Sequence, residues 1–190
     1  MVQKGFYYNQ NDCIGCHACV IACKVQNQVN PSMAWRKVEA FSTTVNGRDV
    51  VRYLSSACHH CADPQCVKVC PVQAFSKREE DGLVVQNHDL CLGCGNCVQS
   101  CPYGSPQLNL LEGIAEKCSG CPELVEQGLP PACVSGCPVQ VLKMVDLAKA
   151  DSAGAMQEAV GFIVSDSAPS IRFAPPRRVT PKTTLLRQTG

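Results

Sequence analysis

Sixteen cysteines dominate the chemistry open to this chain of 190 residues, and they fall into four runs of four. The runs are Cys13, Cys16, Cys19 and Cys23; Cys58, Cys61, Cys66 and Cys70; Cys91, Cys94, Cys97 and Cys101; and Cys118, Cys121, Cys133 and Cys137. The first and third share the spacing C-x2-C-x2-C-x3-C, and the last three runs each end in Cys-Pro. Four thiolates at such spacing are the ligands of a [4Fe–4S] cluster. We therefore expect four [4Fe–4S] clusters, with iron bound by these sixteen cysteines.

Zinc sites and disulfide bonds are the other structures that a dense set of cysteines can form. Zinc ligands usually come as two well-separated pairs, whereas these cysteines follow one another at gaps of two, two and three residues. Disulfide scaffolds are typical of secreted chains, and the first residues, from Met1 to Phe6, contain no apolar signal-like stretch. The spacing favours iron–sulfur clusters over both alternatives, and a colourless protein would support zinc.

Two kinds of position next to the cysteines could influence the clusters: the one before the second cysteine and the one after the fourth. Glycine precedes the second cysteine in three runs, where a residue without a side chain lets backbone amides approach the sulfurs. The second run has His60 there, which would tune a cluster through a hydrogen bond or simply pack. Lys24 replaces the proline after Cys23, and its charge would raise a cluster potential unless it is an ordinary surface lysine.

The elements between the runs predict an α+β fold of two nested ferredoxin-like modules, with short helices, β-hairpins and long loops. A hairpin around Asp81-Gly82 separates runs two and three, which is the layout of a two-cluster ferredoxin. Another hairpin around Asn46-Gly47 links runs one and two. Runs one and four are left to pair across the chain. We therefore predict an outer module of residues 1–49 with 111–150, and an inserted module of residues 50–110.

Crossed ligation follows if both modules resemble two-cluster ferredoxins, in which the fourth cysteine of each run binds the neighbouring cluster. The predicted ligands are Cys13, Cys16, Cys19 and Cys137 for cluster 1; Cys23, Cys118, Cys121 and Cys133 for cluster 2; Cys58, Cys61, Cys66 and Cys101 for cluster 3; and Cys70, Cys91, Cys94 and Cys97 for cluster 4. The four clusters should then form one chain of electron-transfer steps.

Residues 151–190 contain no cysteine and are rich in proline, serine, threonine and arginine. This composition predicts an extended, basic C-terminal arm rather than a domain. The arm is either a solvated tail or a segment wrapped on a partner subunit. Apolar residues favour the partner, since they need a surface to bury against: Ile171, Phe173, Val179, Leu185 and Leu186.

Composition and motifs exclude several functions. A net charge of +1 gives no nucleic-acid signature, and no apolar stretch is long enough to span a bilayer. No glycine-rich nucleotide motif and no nucleophile–base pair stands out. We therefore expect no catalytic residues and no enzymatic activity in the chain on its own, because the clusters carry the electron chemistry.

The order of the runs resembles a known family over about residues 5 to 145. The segments that carry the resemblance are Ala22-Cys23-Lys24, Cys61-Ala62-Asp63-Pro64-Gln65-Cys66, Cys70-Pro71, Lys77-Arg78, Cys101-Pro102-Tyr103-Gly104 and Lys117-Cys118. They are similar to the iron–sulfur subunit of dimethyl sulfoxide reductase-type molybdopterin oxidoreductases. Because Cys94 stands where the nitrate reductase branch has tryptophan and a three-iron cluster, the resemblance implies four [4Fe–4S] clusters.

The resemblance also implies partners. They are a catalytic subunit with a molybdenum or tungsten pterin and, often, a quinone-binding membrane subunit. The formate dehydrogenase branch adds a C-terminal membrane helix, which is not seen here, so the dimethyl sulfoxide, polysulfide and thiosulfate reductase type is the better match. The chain would be peripheral to the membrane, either cytoplasmic or exported in folded form with a partner that bears a twin-arginine signal. The alternative is a free soluble polyferredoxin, without a fixed enzyme partner.

Overall fold

A computed structural model describes residues 2–45 and 47–177, together with the backbone of residues 186–187. Its helices are α1 (Ala18–Gln26), α2 (Gln65–Lys68), α3 (Asn96–Ser100), α4 (Pro122–Glu126), α5 (Ala132–Ser135) and α6 (Leu147–Ser152), with a 3-10 turn at His88–Leu90. Its strands are β1 (Lys4–Tyr8), β2 (Lys37–Val45), β3 (Arg48–Ser56), β4 (Phe75–Lys77), β5 (Val84–Gln86), β6 (Gln107–Asn109), β7 (Ile114–Glu116), β8 (Leu142–Asp146), β9 (Ile171–Phe173) and β10 (Leu186–Arg187). Short helices and small sheets of this kind make an α+β fold, as the sequence predicts.

A small mixed sheet of order β8-β1-β9 joins the two ends of the described chain. Tyr7 of β1 lies opposite Lys143 of antiparallel β8 and Arg172 of parallel β9. Alternate residues of a strand face the same side, so Phe6 and Tyr8 both enter the core, where they are fully buried. The sheet therefore holds the segment before the first cysteine run beside the segment that follows the last one.

The two hairpins predicted from the sequence are confirmed. β2 and β3 pair from Lys37 opposite Ser56 to Val45 opposite Arg48, which is longer than expected. Gly47 in their turn has φ of +75°, the left-handed conformation that glycine adopts freely, while Asn46 lies outside the described residues. β4 and β5 pair on either side of the Asp81-Gly82 turn.

The helices that follow or form part of the cysteine runs pack in two pairs. α1, which contains Cys19 and Cys23 of run one, lies against α5, inside run four. α2, inside run two, lies against α3, inside run three. Gly136 permits the first contact, because a Cβ at this position would be 2.6 Å from the Cβ of Ala22. Helix packing thus brings run one to run four and run two to run three.

Residues 151–177 differ from the extended arm expected from the sequence. Ile171 and Phe173 are buried in the core of this chain because β9 pairs with β1, so their burial needs no partner subunit. Nearby, the backbone amide of Ala62 donates to the carbonyl of Ala168 (2.8 Å), and the amide of Ser170 donates to the carbonyl of His59 (2.9 Å). These two hydrogen bonds hold the segment around Ala168 against run two. Val179 and Leu185 lie outside the described residues, and of Leu186 only the backbone, which pairs with Ser42, is described.

No helix within the described residues is both long enough and apolar enough to cross a bilayer.

Candidate iron–sulfur cluster sites

Three cavities of similar size are each lined by four cysteines. The sets are Cys13, Cys16, Cys19 and Cys137; Cys58, Cys61, Cys66 and Cys101; and Cys70, Cys91, Cys94 and Cys97. The empty volumes, open solvent included, are about 340, 360 and 290 Å³. Each set takes three cysteines from one run and the fourth from another. The crossed ligation of clusters 1, 3 and 4 stays a prediction, but the fold brings together the thiols that it requires.

The remaining four cysteines, Cys23, Cys118, Cys121 and Cys133, are all buried. The side-chain amide of Asn27 reaches two of them, since its Nδ2 lies 3.8 Å from the Sγ of Cys23 and 4.0 Å from the Sγ of Cys121. Burial raises the pKa of Cys23 to about 12, and the neighbouring thiols of Cys133 and Cys121 also act to raise it. These four thiols, from run four and the end of run one, are the set predicted for cluster 2.

Buried hydrogen-bond donors without acceptors offer a test of whether a cluster fits this core. Trp35 Nε1 and both Nε and Nη2 of Arg36 have no partner among the described residues. Trp35 belongs to the same buried core as Cys23, Cys118 and Cys133. Thiolate and inorganic sulfurs are hydrogen-bond acceptors, and the hydrogen bonds that they accept help to set cluster potentials. Iron–sulfur clusters therefore fit a core that has excess donors and is lined with thiols.

Burial also explains why these thiols need a metal. Desolvation raises the pKa of Cys66 to about 12 and that of Cys61 to about 11, and it raises the pKa of Cys118 well above its usual range. Only the thiolate is a good ligand, and a coordinating metal deprotonates the thiol. Cluster binding should therefore release protons and stabilise the fold at the same time.

The residue before the second cysteine adopts the left-handed conformation in all four runs. The φ angles are +67° at Gly15, +44° at His60, +65° at Gly93 and +84° at Gly120. Neighbouring atoms leave no room for a side chain at Gly93, where a Cβ would be 2.1 Å from the carbonyl oxygen of Gly113. At His60 a non-glycine residue accepts this conformation at a cost of about 1–3 kcal/mol, which indicates a role for its side chain.

His60 contacts the cysteine of a different run. Its Nδ1 accepts a hydrogen bond from the amide of Val84 (3.0 Å), so the neutral ring carries its proton on Nε2. Nε2 lies 3.9 Å from the Sγ of Cys118, the first cysteine of run four. Burial, followed by the charge of Lys117, lowers the pKa of His60 well below its usual value, which keeps the ring neutral. The sequence-based hypothesis that His60 tunes a cluster therefore points to cluster 2 rather than to the cluster of its own run.

Backbone amides donate to the fourth cysteine of two runs in the same way. Ala74 N lies 3.2 Å from the Sγ of Cys70, and Ser105 N lies 3.5 Å from the Sγ of Cys101. Both amides come four residues after the cysteine, just beyond the sharp Cys-Pro turn. The repeat indicates that the two fourth cysteines are held in equivalent positions.

Several polar residues near the thiols were not predicted from the sequence. Ser55 Oγ is 3.4 Å from the Sγ of Cys19, and Ser167 Oγ donates to the Sγ of Cys61 (3.4 Å). Arg36 and Lys117 are buried cations in the same region. Ser55, Arg36 and Ser167 come from the β2–β3 hairpin, its approach and the C-terminal segment, so nothing beside the cysteine runs marks them. Lys117 directly precedes Cys118, and it is the burial of its side chain that was not predicted. By contrast, the ammonium of Lys24 donates to the carbonyl of Pro31 (2.8 Å) at the surface.

Comparison with known families gives two matches, both to models described as a 4Fe-4S dicluster domain. One covers residues 50–147 and the other residues 12–74. Together they include all four cysteine runs, and they overlap in the region of run two. The two models therefore account for four [4Fe–4S] clusters.

Curated relatives are similar over most of the chain. A chain of the anaerobic dimethyl sulfoxide reductase of Escherichia coli (strain K12) is 40% identical over 148 residues, which is 74% of this chain and 72% of the relative. The electron transfer subunit of the thiosulfate reductase of Salmonella typhi is 38% identical, with 72% of each chain covered. A subunit of the tetrathionate reductase of Salmonella typhimurium is 42% identical over 66% of this chain and 50% of the relative.

Proposed function

Because the chain belongs to the family of iron–sulfur electron-transfer subunits of dimethyl sulfoxide reductase-type complexes, we propose that it relays single electrons between two partner subunits. It carries four [4Fe–4S] clusters. One proposed partner is a molybdopterin catalytic subunit that contains molybdenum or tungsten. The other is a quinone-linked membrane subunit, which would attach this chain to the membrane peripherally. The chain would lie on the cytoplasmic side of the membrane, or on the outer side if a partner with a twin-arginine signal carries it across in folded form.

The proposed architecture is two nested two-cluster modules. Residues 1–49 with 111–150 form the outer module, and residues 50–110 form the inserted one. The packing of α1 on α5 and of α2 on α3 supports this division, since each helix pair joins the two runs of one module. In this arrangement every cluster is bound by two distant segments, so cluster binding stabilises the whole fold.

The proposed relay runs from cluster 1 through clusters 2 and 3 to cluster 4. One cysteine in each terminal set is exposed, Cys16 in cluster 1 and Cys94 in cluster 4, whereas all four cysteines of cluster 2 are buried. The contact of His60 with Cys118 supports clusters 2 and 3 as neighbours, because His60 belongs to the run that binds cluster 3. The succession of exposed, buried and exposed sites is the observation that carries the proposal.

The surface at both ends of this relay suits docking to partners. Ile14, close to Cys16, is 57% exposed, and Leu92, close to Cys94, is 69% exposed. Apolar side chains around an exposed ligand exclude water once a partner covers them, which lowers the local dielectric along the electron path. We propose that one partner binds at each end.

The residues of this chain hold and tune the clusters rather than react. When bound, the clusters accept and donate single electrons. The cysteines bind iron, the amides of Ala74 and Ser105 donate to cysteine sulfurs, and the buried core excludes water. Since these donors are already in place before an electron arrives, little reorganisation accompanies each transfer.

The isolated, cluster-loaded chain is expected to accept electrons from dithionite or a reduced viologen but to reduce no substrate. The reason is that outer-sphere electron transfer is the whole chemistry of the chain, and substrate binds elsewhere. Stopped-flow bleaching of the cluster absorbance would measure reduction, and re-oxidation would be followed with dimethyl sulfoxide, thiosulfate or tetrathionate added.

The matched control for this experiment is the complex purified from the source organism. Co-purification with a molybdopterin subunit would support the relay, and isolation without any partner would favour the free polyferredoxin. Substrate reduction by the isolated chain at a rate comparable to that of the complex would contradict the proposal.

A further inference from the structure

Arg36 is a fully buried cation in the core that contains clusters 1 and 2. It immediately precedes β2, and only 2% of its surface is exposed. Its Nη1 donates to Ser55 Oγ (3.1 Å), and its guanidinium carbon lies 4.7 Å from the centre of the Phe6 ring. Nε and Nη2 have no acceptor, and no carboxylate pairs with the side chain within the described residues.

A buried guanidinium without a counter-charge is very costly, so an anionic group must lie nearby. Phe6, against which the guanidinium packs, belongs to the same buried core as Cys23, Cys118 and Cys133, and Cys19 lies against this core. Three of these belong to the set of cluster 2, and Cys19 belongs to cluster 1. Ser55 connects the two sides, since its Oγ contacts both Arg36 Nη1 and Cys19 Sγ.

We propose that Arg36 is the shared counter-charge of clusters 1 and 2 and raises the reduction potential of both. This inference rests on the ligation proposed above. Four thiolates give each cluster a net negative charge, and reduction adds another electron. A cation fixed beside a cluster in a water-free core therefore stabilises the reduced form more than the oxidised form.

The shape of the side chain suits this role. The guanidinium is planar and carries five N–H donors in a rigid fork. Nη1 is used by Ser55, while Nε and Nη2 remain for sulfur acceptors. Lys117 differs, because its ammonium already donates to the carbonyls of Val84 and Cys118. Unlike Lys117, Arg36 therefore has donors that remain free to bind cluster sulfurs.

The test is a redox titration followed by EPR on the full cluster-loaded chain, with Arg36→Gln, Arg36→Lys and a control. In Arg36→Gln the potentials of clusters 1 and 2 should fall by at least ~59 mV, a tenfold change in a one-electron equilibrium. Arg36→Lys keeps the charge and should retain most of the potential. Clusters 3 and 4 should not change in either variant. The control is Lys24→Gln, which removes a cation next in sequence to Cys23 but with its ammonium at the surface. It should not change any cluster potential by this amount.

Each outcome decides the inference. Four intact clusters with unchanged potentials in Arg36→Gln would overturn it, as would an equal fall in Arg36→Lys, since charge would then not be the cause. If Arg36→Gln does not take up its clusters, Arg36→Met is measured in its place. If Arg36→Gln and Arg36→Met lose only clusters 1 and 2 while Arg36→Lys takes up all four clusters, the result supports Arg36 as their counter-charge. If the neutral variants lose all four clusters, Arg36 has only a structural role. A change in reduction potential confined to clusters 3 and 4 would contradict the proposed cysteine ligation. This outcome therefore distinguishes a wrong ligation from a wrong role for Arg36.

Discussion

Replacement of Cys23 by serine is expected to damage the same cluster as replacement of Cys118, and to leave the cluster that contains Cys13 intact. Cys23 belongs to run one by sequence, but it lies in the same buried core as Cys118 and Cys133 of run four. The side-chain amide of Asn27 lies within 4.0 Å of both Cys23 Sγ and Cys121 Sγ, as expected if the two sulfurs bind one cluster. EPR spectra of the reduced, cluster-loaded chain, recorded at several potentials, would show which of the four signals each variant loses or alters.

Cys13→Ser is the matched control for this experiment, since Cys13 lies in the same run but lines a different cavity. Cys137→Ser should alter the same signal as Cys13→Ser, because both thiols line the cavity predicted for cluster 1. If Cys23→Ser and Cys13→Ser alter one common signal while Cys118→Ser alters another, crossed ligation is wrong and each run binds its own cluster.

Replacement of Cys94 by serine or tryptophan is expected to convert cluster 4 to a three-iron form. Cys94 is the exposed thiol of its set, whereas Cys97 is buried and Cys70 and Cys91 are half-buried. Loss of the exposed ligand leaves one iron open to solvent, while three thiolates still bind the rest. A new EPR signal should appear in the oxidised chain, and the signals of the other three clusters should be unchanged.

Leu92→Ser provides the control for Cys94, because this neighbouring side chain is also exposed but contains no ligand. It should leave the oxidised spectrum unaltered. An unchanged spectrum in the Cys94 variants would mean that Cys94 binds no iron.

Much of the site could be predicted from the sequence because cluster ligands are grouped locally. The runs themselves, the hairpins around Gly47 and Gly82, and the special position before the second cysteine all depend on a few adjacent residues. Glycine at that position was expected to let backbone amides approach the sulfurs. The structure adds a second reason, since the backbone there is left-handed at His60 as well as at the glycines.

The long-range contacts to the cysteine sulfurs could not be predicted, since they join residues far apart in sequence. His60 lies 58 positions from Cys118, and Ser167 lies 106 positions from Cys61. Lys24, which follows Cys23 directly, was expected to be either a cation beside a cluster or an ordinary surface lysine, and its ammonium donates to the carbonyl of Pro31 at the surface. The buried cations of this region are Lys117 and Arg36, the latter placed there by the hairpin that β2 forms with β3.

The C-terminal segment was misinterpreted for a similar reason. Ile171 and Phe173 alternate with Arg172, which is the pattern of a strand with one buried face. Prolines on both sides suggested an arm instead. Only the parallel pairing with β1, at the opposite end of the chain, shows that this segment completes the core.

Iron and acid-labile sulfide, measured per chain on the anaerobically purified protein, test the central claim most directly. Four [4Fe–4S] clusters bound by sixteen cysteines require about sixteen iron atoms and as many sulfides. Zinc measured in the same sample should be far below one atom per chain. An iron content near twelve atoms per chain would mean that the relay has three clusters rather than four. Zinc in place of iron would contradict the account as a whole.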